Sequence, residues 1–289
     1  MKMRAIFSRL VACAILLAAF ELAVYRARTQ SIAHDEATTY QFFLDGGVYH
    51  VLFYNPANHV LFTLLAKPIV WVLGITEFTL RAPSLFGAAA YLTTIYLLCA
   101  KLFGDGLLLP VAVALLSFNP QILDFLPAAR GYCLGLACLA IAMYIFTELL
   151  DRGEFEPADR RWRWGCAAAS ILLALSVAAS YTNIVPAACL TLSFAVVALG
   201  GFSAFRNLRE PKLRTLAQYL VFPGVVAGFA VLWPFVIQAR PAHVETNMGG
   251  ASDALRDWFN ASFLYKWTDD VHSSLGGVPP APGSWPAKV

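Results

Sequence analysis

Two carboxylates and a histidine stand side by side in HDEATTY, as His34, Asp35 and Glu36. Further along lie His59 in YNPANHVLF, Lys67, Arg81 in FTLRAPS, Asp124, and Arg130 in PAARGY, each set in a largely apolar stretch. A carboxylate can take a proton from an acceptor hydroxyl, and guanidinium groups are shaped to grip phosphate oxygens in pairs. A mixed set of acids and bases therefore suits a phosphate-linked substrate, with cations for the phosphate and a carboxylate as base. A plainer reading stands beside it. Asp35 and Glu36 could be the acidic first turn of a helix, and Arg81 and Arg130, each just before an apolar run, could anchor spans at the lipid headgroups.

Which reading holds depends on the elements that carry these residues. The chain has 289 residues, 59% of them hydrophobic and 13% charged, with mean hydropathy +0.63. That is too apolar for a domain that must cover itself with polar groups, so lipid is the solvent for most of it. The net charge of +3 comes from short basic clusters between apolar runs. Those clusters concern topology, and nucleic-acid binding is set aside. The six cysteines all fall inside apolar runs without metal-ligand spacing, which reads as packing rather than disulfides.

The N-terminal run from Ala5 to Tyr25 is long enough to span, and no small-x-small cleavage site follows it, so a permanent first helix is expected rather than a signal peptide. Further spans are expected at about 82–100, 106–124, 131–150, 165–180, 184–203 and 216–238, roughly seven in all. The segment His59 to Gly74 is the decision point. It is short and carries Lys67 and Pro68 at its centre. Two loops, one with Arg152, Arg160, Arg161 and Arg163 and one with Arg206, Arg209, Lys212 and Arg214, should stay in the cytoplasm. With the N-terminus inside, both do so only if His59 to Gly74 does not cross. The segment is therefore expected to be a surface helix, with Lys67 snorkelling from it. The expected fold is an all-α polytopic transmembrane helix bundle with juxtamembrane helices in a first extracytoplasmic loop, residues 26–81. A tight outer turn is expected at SYTN. The expected domains are a transmembrane domain at 1–238 and an extracytoplasmic tail at 239–289. On this map the chemistry-bearing residues of the first half share the outer side.

The order HDEATTY, NPANH before an amphipathic run ending LG, EFTLRAPSLFGA opening a span, and FNPQILDFLPAARGY resembles the membrane glycosyltransferases of the GT-C superfamily, nearest the branch of protein O-mannosyltransferases and aminoarabinose transferases. The resemblance covers roughly residues 5–150. It implies transfer of a sugar from a polyprenyl-phosphate donor to a lipid, glycan or protein acceptor on the extracytoplasmic face of the bacterial inner membrane. The family's essential acid in the first outer loop matches Asp35, as general base or as ligand to a divalent ion, and Glu36 matches the second member of the acidic pair. By the same carry-over His59, Arg81 and Arg130 would contact the carrier phosphate and Tyr132 completes the ARxY-like motif, with Gly131 a departure from it. Lys67 is counted with the substrate-binding set. The partners implied are the lipid-linked sugar and membrane lipid; oligomeric state is not legible.

Two other classes compete. A transporter or flippase of lipid-linked substrates would want charged or broken helices near mid-membrane, and a non-catalytic scaffold would want no site at all. Enzymes of the family are usually much longer, so a truncated chain is expected. The tail adds Asp269, Asp270 and His272, read as a solvated loop before a metal site. Trp71, Trp162, Trp164 and Trp233 are expected in the interfacial belt.

Overall fold

The computed structural model describes residues 2–45, 58–151, 153, 156, 158–200 and 211–238. Asp269, Asp270 and His272 with the whole tail, and Arg152, Arg206 and Arg209, lie outside the described residues. Among the described residues every regular element is a helix.

Helix α1 is Lys2–Thr29, α2 is His34–Thr39 running into a π-turn at Tyr40–Leu44, and α3 is Val60–Leu73. Then come α4 (Glu77–Phe103), α5 (Leu108–Ser117), α6 (Pro120–Phe125), α7 (Tyr132–Leu150), α8 (Arg160–Ala179) and α9 (Ile184–Ala198). The last are α10 (Pro211–Leu216), a π-turn at Ala217–Val221, and α11 (Phe222–Gln238). Six helical stretches among the described residues are long and apolar enough to cross a membrane. The chain is a multi-pass membrane protein, an all-α helix bundle.

Six of the seven expected spans contain a single long apolar helix, and the stretch expected at 106–124 is broken into two shorter ones. Asn119 caps a new helix with Pro120 at its first position, and proline cannot continue the preceding one, so α5 stops at Ser117. The two pieces still climb the height of α1. Arg9 of α1 pairs with Asp105 just before α5, at 2.6 Å, and Arg26 of α1 pairs with Asp124 of α6, at 2.7 Å. About 17 helical residues separate the two arginines, roughly 26 Å at 1.5 Å per residue, close to a hydrocarbon thickness.

Packing against lipid leaves helices no hydrophobic reason to associate, so close backbone approach must hold them. On α1 the buried face is Ala12, Ala19, Ala23 and Ala27, a stripe of small residues against α4 and α5. Gly87 of α4 lies against the backbone of Cys133 and Leu134 in α7, where a β-carbon would stand 3.0 Å from the Leu134 nitrogen. Large apolar side chains such as Phe7, Leu10, Leu17, Phe86, Leu115 and Phe229 point outward, as a lipid-facing surface requires. The cysteines are all free; Cys99, Cys133 and Cys166 are buried among the helices, while Cys13 and Cys189 face outward. Trp71 and Trp164 are exposed, but Trp162 is not in a belt. It is buried against Phe194, which stacks on Phe146, in the core of α7, α8 and α9.

The charged residues collect at two ends. At one end Arg9 meets Asp105, Ser8 donates to the Gly106 carbonyl, and Lys101 reaches both Glu148 and Asp151 at 2.6 Å. Arg160, Arg161 and Arg163 open α8 at that end, and Arg163 lies over the Tyr219 ring after α10. The described part of both basic loops thus shares an end with the N-terminus. At the other end Arg81 of α4, the start of α7 and the close of α8 gather around the loop that follows α1. Helix α3 begins and ends there, with His59 bonded to the last residue of α8 and Gly74 bonded through its carbonyl to Thr79. It does not traverse the bundle, in agreement with the expectation for His59 to Gly74. Lys67, expected to snorkel, instead turns inward and donates to the Leu44 carbonyl at 3.2 Å. The SYTN turn is as expected, a 3-10 turn at Tyr181–Asn183.

Candidate functional site

The loop after α1 and the turn between α6 and α7 are held together by one buried ion pair. Glu36 is 4% exposed and Arg81 3%. Arg81 Nε donates to Glu36 Oε1 at 3.0 Å and Nη2 to Oε2 at 2.6 Å, a two-pronged contact. The Ala129 N–H donates to Oε1 at 2.6 Å and the Ala33 N–H to Oε2 at 3.0 Å. Arg81 spends its other hydrogens on carbonyls at the end of α1, Gln30 at 2.7 Å, Ser31 at 3.0 Å and Ala27 at 3.2 Å. Burial disfavours the Glu36 carboxylate, but the Arg81 guanidinium and the two N–H donors outweigh it and hold its pKa below the ordinary value.

Three residues along α4 from Arg81, on the same face, Ser84 completes the clamp. Its hydroxyl donates to the carbonyls of Ala128 and Arg130. The RAPS and PAAR segments, far apart in sequence, are therefore interlocked, and the chain around Arg130 is fixed from both sides.

Asp35 has the opposite surroundings. Successive residues of a helix point about 100° apart, so while Glu36 turns into the bundle Asp35 turns out of it. Its side chain is 60% exposed, and Oδ2 lies 3.1 Å from Arg130 Nη1. The Arg130 side chain is 16% exposed. Its Nη1 also donates to the Tyr132 hydroxyl at 3.0 Å, and its guanidinium stands 5.7 Å from that ring's centre. The Tyr132 ring stacks on Phe125 at 4.6 Å and meets the edge of His59 at 4.8 Å.

His59 is 7% exposed and its Nδ1 lies 2.7 Å from the Ala179 carbonyl. A carbonyl oxygen only accepts, so Nδ1 carries the proton and, in the neutral ring, Nε2 is an acceptor. Burial, helped by the positive charge of Arg130, pushes its pKa down to about 4 against the pull of the Ala179 carbonyl. The same carbonyl is where Gly131 is needed: a β-carbon at Gly131 would overlap it. The start of α3, the turn into α7 and the end of α8 thus meet at one backbone oxygen.

The sequence-derived set divides accordingly. Asp35, His59, Arg130 and Tyr132 come together. Glu36 and Arg81, expected in catalysis and phosphate contact, are committed to one another because both are buried and every charged atom has a partner. His59, expected on the phosphate, is neutral and brings no cation. Lys67 is turned to Leu44. Asp124 is exposed and paired with Arg26, whose Nη1 also donates to the Leu123 carbonyl at 2.7 Å. Among the described residues no three His, Cys, Asp or Glu side chains group together, and the Asp35 carboxylate, expected as a possible metal ligand, faces a guanidinium. Sequence reasoning missed Ser84, Ala129 and Ala179. Ser84 had a signal in its spacing from Arg81; the other two act through backbone atoms, which residue type does not announce.

Comparisons of the chain with protein-family models, with curated proteins and with solved structures return no match.

Proposed function

We propose that this chain carries the donor-side site of a membrane glycosyltransferase, which moves a sugar from a polyprenyl-phosphate carrier to a lipid, glycan or protein acceptor. The reading rests on the likeness of its four motifs to the GT-C enzymes. One observation carries it furthest: an outward-facing carboxylate, Asp35, held 3.1 Å from the guanidinium of Arg130 at a single end of the bundle. Asp35 takes the proton from the acceptor hydroxyl as that oxygen attacks the sugar carbon, and Arg130 stabilises the phosphate that leaves. Tyr132 orients Arg130 through its hydroxyl. Glu36 and Arg81 position the pair without touching substrate, and this replaces the catalytic and binding roles expected of them.

By the rule that basic loops stay in the cytoplasm, the end with Arg9, Lys101 and Arg160 faces inward and the Asp35 end faces out of a bacterial inner membrane. Ion pairs at the two ends of the bundle favour chemistry at a surface over passage through the middle.

The test is sugar transfer by membranes that carry the chain or its Asp35→Asn variant, with a polyprenyl-phosphate sugar as donor. Loss of product in the variant is expected. Equal product from both would remove Asp35 as the base, and none from either inserted protein would favour a non-catalytic scaffold.

A further inference from the structure

The ion pairs at the outer end differ in how completely their charges are used. Arg81 is saturated by Glu36 and by carbonyls of α1, and Arg26 holds both Asp124 and the Leu123 carbonyl. Arg130 is not saturated. Its Nη1 serves both Tyr132 and Asp35, while its Nε is buried and has no hydrogen-bond partner among the described residues. A buried guanidinium nitrogen left unpaired costs free energy that an added acceptor would recover. Helix α7, with 19 residues, starts at Tyr132 and adds the positive end of its dipole at the same place.

Asp35 is the one side-chain carboxylate paired with Arg130 among the described residues, its Oδ2 3.1 Å from Nη1. With 60% of its side chain exposed, leaving Arg130 costs it little, because water replaces the lost partner. A phosphate carries more acceptor oxygens than a carboxylate and is well matched to a guanidinium, so it competes with Asp35 for Arg130.

Building on the function proposed above, we infer that Arg130 is an anion seat whose resident counter-ion is Asp35, and that the phosphate of a polyprenyl-phosphate substrate displaces Asp35 from it. Exchange couples binding to chemistry. While Asp35 is paired with Arg130, Oδ2 is occupied by the guanidinium. Arrival of the phosphate frees it to accept a proton beside the bound donor. Glu36 and Arg81 keep the backbone fixed while the two anions trade places, so no large movement is required.

The exchange makes an unusual demand on affinity. Equilibrium binding of radiolabelled farnesyl phosphate, a short polyprenyl phosphate without sugar, is measured on the purified full chain in detergent. Asp35→Asn removes the competing anion and is expected to bind the probe about two- to fivefold more tightly, the range set by an exposed ion pair. Asp124→Asn, which removes the same charge at the same end, is expected to leave the affinity unchanged. In an Arg130→Gln background the gain from Asp35→Asn is expected to vanish. Equal or weaker binding by Asp35→Asn would overturn the inference. So would an equal gain from Asp124→Asn, or a gain that survives Arg130→Gln, since either would mean general repulsion. The Asp124 comparison decides the matter even if Arg130→Gln does not fold. Because binding needs no transfer, a positive result in a chain that transfers no sugar would keep the anion seat and remove only the glycosyltransferase reading. Transfer that depends on Asp35 without tighter binding by Asp35→Asn would do the reverse.

Discussion

Glu36 and Arg81 lie 45 positions apart, yet each of the two carboxylate oxygens of Glu36 meets its own nitrogen of Arg81, at 3.0 and 2.6 Å, in a place almost closed to solvent. A buried pair of this kind adds little net stability when intact, because dehydrating both charges offsets their attraction. Its removal by halves is another matter. Each partner supplies the opposite charge that the other's burial requires.

Glu36→Ala and Arg81→Ala should therefore each destabilise the protein by about 3–5 kcal/mol, and the double variant by clearly less than the sum. Thermal unfolding in detergent, followed by circular dichroism, measures all three. Additive losses would mean that the two side chains act independently.

At Asp35 the expectation is reversed. Its ion pair is exposed, so Asp35→Asn should change stability by less than about 1 kcal/mol while sugar transfer falls by about 10²- to 10⁴-fold, the usual worth of a general base. Unfolding and transfer measured on one preparation separate the two. A variant that loses both together would make Asp35 a structural residue.

His59 predicts a pH dependence. Its pKa in the folded protein is about 4, below the ordinary 6.5, so unfolding takes up a proton wherever the pH lies between them. The stability it contributes is complete above pH 6.5 and is lost as the pH falls through 4, on the order of 3 kcal/mol in all. Glu36, also lowered, loses its share at the acid end, below its ordinary value of 4.5. Melting temperature against pH should therefore start to fall near pH 6.5, and His59→Gln should flatten that first part. An unchanged profile would place the acid sensitivity elsewhere.

Gly131→Ala forces a β-carbon into the Ala179 carbonyl, the acceptor of His59. Overpacking costs typically about 1–3 kcal/mol, and here it also strains the bond that fixes the His59 tautomer. The expected result is a lower melting temperature together with a weakened acid response. Gly106→Ala, which meets nothing within 4 Å, is the matched control and should be neutral.

Sidedness is checked by single cysteines in a cysteine-free background. Gln121 at the Asp35 end and Arg161 at the basic end are both exposed. An impermeant thiol reagent applied to intact cells should label Gln121→Cys and spare Arg161→Cys until lysis. The opposite pattern would invert the proposed orientation while leaving the fold intact.

Much of this protein was legible in its residues. Long apolar runs dictate helices because lipid offers the backbone no hydrogen bonds, and the basic loops at 160–163 and 212–214 require that His59 to Gly74 return to its own side. Composition and loop charge act locally, so they survive without knowledge of contacts. The run at 106–124 was legible as apolar, but its division into two helices was not, because hydropathy outvotes Pro120, the proline that ends α5. The fates of Asp35 and Glu36 were not legible at all. Adjacent acids look alike in a sequence, and only the packing of α2 against Arg81 and Ala129 decides which one is buried and paired and which one faces out. Arg81 and Arg130 likewise read as equal phosphate ligands. Tertiary structure separates them by partner: one is saturated by carbonyls 50–54 positions away, and the other keeps a nitrogen unpaired beside the exposed acid. Residue type sets what a group can do, and burial with a full or incomplete set of partners sets whether it is free to do it.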